Sequence, residues 1–299
     1  MYVNPPQNSC VDQQLLEFHG RVSFRQYIST KLGKFGMKIF WLTNSEGTYV
    51  YNGIPYIGGN TIPEDALRSA SNYSEALVLQ LTKPFYGSGT HLTGDNYFSS
   101  SSLVDKLAEK NISYIGTVNV NRVDVPPEAK LTIGRTKGDS KFYYSQNQFI
   151  CSFWDKKKTP VLLLDSFAKV GIHEEANSKP DTVLLYNKNK SGVDNIDKLL
   201  RVMPMKRKCR RWPYGFVMNL LNIAVLNSIY VLKNTREIER TQINHQHFNF
   251  LISAGMQLID IHIHQRANSA AANQPNVKAA LQIIGIIPKL YNPIKKQLK

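Results

Sequence analysis

Carboxylates are scarce in this sequence. Only 22 aspartates and glutamates stand against 37 lysines and arginines, giving a formal net charge of +15 and a pI near 9.6. Such a surplus points to an anionic partner. It favours polyanions, nucleic acid ahead of an anionic membrane surface. Cysteine is scarce too. Cys10, Cys151 and Cys209 are odd in number and contain no C-x-x-C pair. That leaves a disulfide framework or a cysteine-rich zinc site without support and fits a reducing compartment. No uninterrupted apolar run of about 18 residues occurs. The nearest, Tyr214 to Leu232, is broken by Asn219, Asn222, Asn227 and Ser228, so it is expected to be a buried helix and no membrane partner is implied. The opening MYVNPPQNSC lacks the basic start and apolar stretch of a signal peptide.

What is present suffices for a large core: 299 residues, 42% of them hydrophobic. The segment before Asp12 is polar and supplies at most a short strand. β-Branched and aromatic residues predict strands near Lys38–Thr43 and Thr48–Tyr51. YSEALVLQLTKPF predicts a helix ending before Pro84, and GTHLTGD a strand that delivers Asp95 at its end. FSSSSLVDKLAEKN, with its serine cap and helical spacing of Leu103, Val104 and Leu107, predicts a helix; ISYIGTVNV predicts a strand. Up to residue 120 this is an α/β layout with helices flanking a mixed sheet. From 121 to 188, KFYYSQNQFICSFWD, TPVLLLDS and TVLLYNK are β-like, and a β-rich insertion is expected. Helical periodicity returns at 192–202, 213–234 and 237–262, ahead of a basic tail.

Three aspartates then stand out. Asp12 follows the first strand, Asp95 ends a later one, and Asp194 opens a helix in KNKSGVDNIDKL, with Asp197 one turn on. Taken singly, Asp95 serves equally well as a turn cap and Asp194 as a helix cap. Together, one acid on the first strand, one at a later strand end and one on a following helix is the layout by which an RNase H-like fold gathers an acidic cluster. Clustered carboxylates repel unless a cation sits among them. Two Mg²⁺ ions about 3.5–4 Å apart can activate a water or a 3′-hydroxyl and stabilise the leaving oxygen of a phosphodiester. The basic surplus would then hold a DNA backbone beside the acidic centre.

Five blocks in order carry a family resemblance: DQQLLEFHGRVSFRQYISTKLGKFGMKI, TGDNYFSSSSL, IGTVNVNRVDVP, YNKNKSGVDNIDKL and RRWPYGFVMNLLNIAVLNSIYV. They resemble the catalytic domain of the piggyBac transposase family across about residues 11–288. The resemblance implies an RNase H-like mixed sheet with flanking helices, its first part at 1–120, a β-rich insertion at 121–188, the remainder at 189–235 and a C-terminal helical segment at 236–299. It implies Asp12, Asp95 and Asp194 as catalytic, metal-binding residues, with Asp197 as a further metal ligand. Two Mg²⁺ ions are the implied cofactors, with Mn²⁺ as a substitute. DNA is the implied partner, as transposon ends and a TTAA-type target; a homodimer is among the implied assemblies, and the nucleus is the expected location. Lys188 and Lys190 are expected near phosphates. The basic run MKRKCRRW, with Lys206, Arg207, Lys208, Arg210 and Arg211, reads equally as a solvated surface or a DNA-backbone contact.

The sequence departs from the family pattern in places. Gln13 stands where the family has Glu, Ser29 and Leu32 where it has prolines, and Asn119 where it has arginine. The resemblance covers a catalytic core without the family's N-terminal region or cysteine-rich C-terminal domain. The expectation is therefore DNA strand cleavage or transfer without competence for full transposition. The alternative is a domesticated, non-enzymatic DNA-binding remnant. Trp212 reads as a packing anchor rather than a base-stacking platform. The pairs His245/His247 and His262/His264 read as solvated helix positions, because i and i+2 on a helix do not face one another.

Overall fold

The computed structural model describes residues 3–155, 159–166, 179–202, 209–235 and 243–283. Its strands are β1 (Asn8–Glu17), β2 (Gln26–Tyr27), β3 (Phe35–Asn44), β4 (Val50–Pro55), β5 (His91–Gly94), β6 (Ser113–Thr117), β7 (Ser140–Tyr144), β8 (Phe149–Phe153) and β9 (Val161–Asp165). Its helices are α1 (Glu64–Arg68), α2 (Tyr73–Thr82), α3 (Ser101–Ala108), α4 (Asp181–Asn189), α5 (Gly192–Val202), α6 (Trp212–Thr235), α7 (Ile243–Ala267) and α8 (Pro275–Ile283). The chain forms two compact units, 1–235 and 236–299.

All nine strands of the first unit join one mixed sheet in the order β2-β3-β1-β5-β6-β9-β8-β7, with β4 also paired to β3. β1, β5 and β6 run parallel; the other pairings are antiparallel. The strands expected near residues 121–188 thus extend the sheet from β6 rather than standing apart from it.

The first strand is longer than its polar sequence suggests. β1 runs ten residues through Asp12 because it is paired on both sides, with β3 from Ser9 to Glu17 and with β5 from Asn8 to Cys10. Its buried polar residues find partners: the Ser9 hydroxyl donates to the His91 carbonyl at 3.3 Å. Backbone pairing and satisfied side chains outweigh the low β-propensity of Asn, Ser and Gln.

Alternation along the strands builds two apolar layers. Val11, Phe40, Leu42 and Leu92 face one side and pack on Leu77 of α2 and Leu103 of α3. Leu16, Ile39 and Trp41 face the other and pack on Val193 and Ile196 of α5 and Ile223 of α6. The Asn72 and Ser100 side chains cap α2 and α3, accepting from Glu75 N and Leu103 N. TVLLYNK, expected as a strand, lies in α4. A short apolar run does not distinguish strand from helix by its period. Pro180 at the cap loses no hydrogen bond there, and Val183 packs on Cys151 and Leu163.

α6 is long and apolar enough to cross a membrane by length and composition alone. Its asparagines are used against the sheet: Asn227 Nδ2 donates to Val50 O at 2.8 Å and its Oδ1 accepts from Val50 N at 2.9 Å. In the second unit, α7 and α8 touch one another. Residues 237–242, expected at the start of α7, and the basic tail lie outside the described residues, as do the side chains of His245 and His247. His262 and His264 are exposed on α7, with His264 Nδ1 beside Asp260 Oδ1 at 3.4 Å.

Glu75 is fully buried, and its cation is Lys106 of α3, Nζ to Oε1 at 2.5 Å. Lys106→Met strands that carboxylate. The expected loss is about 3 kcal/mol of unfolding free energy by denaturant titration, recovered in part by adding Glu75→Gln.

Candidate active site: an acidic cleft

Asp12 sits in the middle of β1, opposite Trp41 of β3, on the face covered by α5. Asp95 is the first residue beyond β5, where its backbone carbonyl accepts from Phe98 N at 3.2 Å and its Oδ1 from Tyr97 N at 3.0 Å. Asp194 lies in the first turn of α5. The three side chains, 83 and 99 residues apart in sequence order, line a single cleft of about 150 Å³ with Cys10, Tyr186 and Lys190.

Close approach of α5 to the sheet makes this meeting possible. A Cβ on Gly192 would lie 2.6 Å from Thr43 Oγ1, 2.7 Å from Asn44 O and 2.9 Å from Cys10 Cβ. Gly47, held at φ +68, likewise admits the Gly192 carbonyl and Asn195. The Asn44 carbonyl is backbone and the Cys10 Cβ is fixed to backbone, so neither can give way as the end of a flexible side chain would. Gly192→Ala should therefore lever α5 off β1 and β3 and cost about 1–3 kcal/mol, measured by chemical denaturation.

The electrostatics follow from burial. Asp12 is pushed up to about 6, first by burial and then by the charges of Asp95 and Asp194; a 2.7 Å bond from Gln13 N opposes the rise. Asp95 is also raised by burial, against the pull of Tyr97 N and Lys38. Asp194 is paired with Lys31, Nζ to Oδ1 at 3.1 Å. Lys38 is lowered by burial among aromatic rings, its Nζ 4.6 Å from the Phe40 centroid, 5.1 Å from Tyr97 and 5.5 Å from Tyr56. The Cys10 thiol is pushed up to about 12 by burial and by Asp12, which makes it inert.

Asp197 is not gathered with the other three. It lines a separate cavity of about 230 Å³. Its Oδ1 accepts from Gln14 Nε2 at 3.0 Å and its Oδ2 from Arg201 at 2.7 Å. One helical turn of separation rotates it past the cleft and over β1. Lys190 lines the cleft, with Nζ bonded to Asn187 Oδ1 at 2.8 Å and 5.4 Å from the Tyr186 ring. Lys188 is exposed on α4, and Arg210 and Arg211 are exposed before α6. Lys206, Arg207 and Lys208 lie outside the described residues. Trp212 is partly exposed and packs edge-on against Phe24 at 5.2 Å.

Lys31, Lys38, Tyr186 and Gln14 were not singled out from sequence. Gln14 alone carried a usable signal: it shares the strand face of Asp12 by the two-residue period.

The donor set consists of carboxylate oxygens, which suits a hard divalent cation; burial first, and then the charges of Asp95 and Asp194, lift Asp12, and such a cation would offset both. Among the described residues no group of three His, Cys or carboxylate side chains stands close enough together to hold a metal ion. Lys31 supplies positive charge at Asp194 instead.

A mixed sheet whose first strand, neighbouring parallel strand and following helix each bring an acid to one cleft defines an RNase H-like core. The comparisons narrow this further. Residues 1–229 match the family described as Transposase IS4. The chain superposes with a TM-score of 0.82 and 31% identity on the piggyBac transposase solved by cryo-EM as a synaptic complex with hairpin DNA, covering 97% of this chain and 59% of that one. It is 23% identical over 218 residues to the human PiggyBac transposable element-derived protein 3 and to the human chimeric ERCC6-PGBD3 protein, covering 67% of this chain in each case. It spans 36% of the first relative and 20% of the second. The chain belongs to the piggyBac-type Transposase IS4 family.

Folding takes up a proton at Asp12, because burial favours the neutral acid. The stability this gives the metal-free protein is full below about pH 4 and is lost as the pH rises through about 6. Asp12→Asn should flatten that window and raise stability at pH 7 by on the order of 2 kcal/mol, after allowance for partial exposure. Denaturant titrations at pH 4.5 and 7 without metal read the difference.

Proposed function

We propose that this chain is a metal-dependent DNA strand-cleavage and strand-transfer core of the piggyBac type. The observation that carries the reading is the single cleft shared by Asp12, Asp95 and Asp194. By family likeness Mg²⁺, two ions, with Mn²⁺ as a substitute, would enter the cleft that these three carboxylates line. A cation held there would supply Lewis acidity for activating a water or 3′-hydroxyl and for stabilising the leaving oxygen. The chain's own residues do the rest. Lys31 and Lys190 stand at the cleft, where they can neutralise a phosphate; Lys38 offsets the charge of Asp95. Arg210 and Arg211 offer exposed charge to a duplex backbone, and the net charge of +15 makes binding salt-sensitive.

Transposon ends and a TTAA-type target are the substrates family likeness suggests; a homodimer and a nuclear location belong to the same reading. We read α6 as the covering helix of the sheet rather than a membrane span, because Asn219 and Asn227 bond to strand residues.

A second reading rests on Lys31. Its ammonium already pairs with Asp194, and no three ligands converge among the described residues. That arrangement suits a DNA-binding remnant without catalysis.

One assay separates the two. The chain is incubated with hairpin and nicked oligonucleotides in Mg²⁺ or Mn²⁺ and the products resolved on denaturing gels. Cleavage that falls at least about a hundredfold in Asp95→Ala supports the enzyme. Salt-sensitive binding without metal-dependent cleavage supports the remnant.

A further inference from the structure

Asp197 resembles a fourth ligand in sequence, yet both its oxygens are engaged away from the acidic cleft. Its side chain is only 13% exposed. Its partner Gln14 is 2% exposed, and Gln14 Oε1 accepts from Trp41 Nε1 at 3.0 Å and from Asn219 Nδ2 at 3.0 Å. Trp41 and Asn219 are both 4% exposed.

Chemistry fixes the direction of this network. An indole N–H can only donate, so the Gln14 atom facing it must be the oxygen. The Gln14 amide nitrogen is then left facing Asp197, which as a carboxylate can only accept. The amide oxygen has two lone pairs, and both are used. A reversed amide would set two donors against each other at Trp41, and an oxygen against a carboxylate at Asp197. Only one orientation satisfies all four side chains, and an unsatisfied member would be buried.

The network also has a definite mechanical position. Gln14 is the next residue after Asp12 on the same face of β1. Asp197 is one turn after Asp194 on α5. Trp41 belongs to β3 and Asn219 to α6. A single amide thus ties the helix bearing one cleft acid to the strand bearing another, and braces both from the neighbouring strand and covering helix.

We propose that Gln14, Asp197, Asn219 and Trp41 form a buried lock that sets the position of α5 over β1, and that Asp197 is a positioning residue rather than a metal ligand. The clause about metal rests on the proposed function; the clause about position does not.

The test uses the full chain with Gln14→Leu, Asp197→Asn and, as a stability control on the other face of the sheet, Leu103→Ala. Mn²⁺ affinity is measured by calorimetry, α5 protection by amide hydrogen exchange, and the network by the indole ¹⁵N resonance of Trp41, assigned through Trp41→Phe. Gln14→Leu should weaken Mn²⁺ binding about tenfold, speed exchange across residues 193–200 and shift the Trp41 resonance. Asp197→Asn keeps an oxygen for Gln14 and should hold Mn²⁺ within about threefold of the unaltered chain, as expected for a residue that does not ligate. Leu103→Ala lowers the melting temperature yet should leave Mn²⁺ affinity within about twofold, since its cavity lies across the sheet. Loss of Mn²⁺ binding in folded Asp197→Asn overturns the positioning role. Unchanged α5 exchange in Gln14→Leu overturns the lock. An unaltered chain that binds no Mn²⁺ counts against the proposed function alone, and the lock is then decided by exchange and the Trp41 resonance.

Discussion

Like charges in a partly buried cleft are the constraint on which this structure turns. Asp12, Asp95 and Asp194 cannot all be ionised there without positive charge close by. The chain supplies some of it: Lys31 pairs with Asp194, and Lys38 lies near Asp95 among three aromatic rings. Burial first, and then the charges of Asp95 and Asp194, still leave Asp12 raised. A rigid surround is needed to hold groups that repel. The sheet gives it by pairing β1 on both edges, and the helical layer gives it through the close seat of Gly192 on Asn44 and Cys10.

The division of labour between the two aspartates of α5 follows. Asp194, in the first turn, is half-exposed at the cleft and paired with Lys31. Asp197, a turn later, is fixed by Gln14 and Arg201. Spacing of three residues put them on neighbouring helix faces, and the strand beneath decided which faced the cleft and which faced Gln14. The basic surplus that marks the composition is likewise divided. A few lysines serve the acids directly, while Arg210 and Arg211 stand exposed.

Much of the fold was legible in the sequence because local signals and tertiary demands agreed. The serine cap of α3, the stop of α2 before Pro84 and the strand leading into Asp95 all rest on short-range chemistry. Where sequence and structure part, the causes differ. β1 outruns its polar sequence because its stability comes from partners distant in sequence, and α4 reads as a strand because its apolar run is too short to show a period. In the cleft, the acids could be named from the family resemblance to their blocks. The lysines that answer them could not: Lys31 meets Asp194 across more than 160 residues, and such long-range charge pairing leaves no local trace. The same holds for Gln14, whose polar side chain reads as a flaw in a strand until Trp41, Asn219 and Asp197 are placed around it.

The strand order has a consequence for synthesis. Of the strands of this sheet β1 leaves the ribosome first, and β3 follows soon enough to form an antiparallel ribbon with it. The opposite edge of β1 waits for His91 to Thr93, and its α5-facing side waits for residues beyond Gly192. Until then the ribbon shows an open edge and an apolar face, the state in which growing polypeptides misassociate or recruit chaperones. The acids therefore meet only once α5 has been made, and no fragment that stops short of Asp194 carries the cleft.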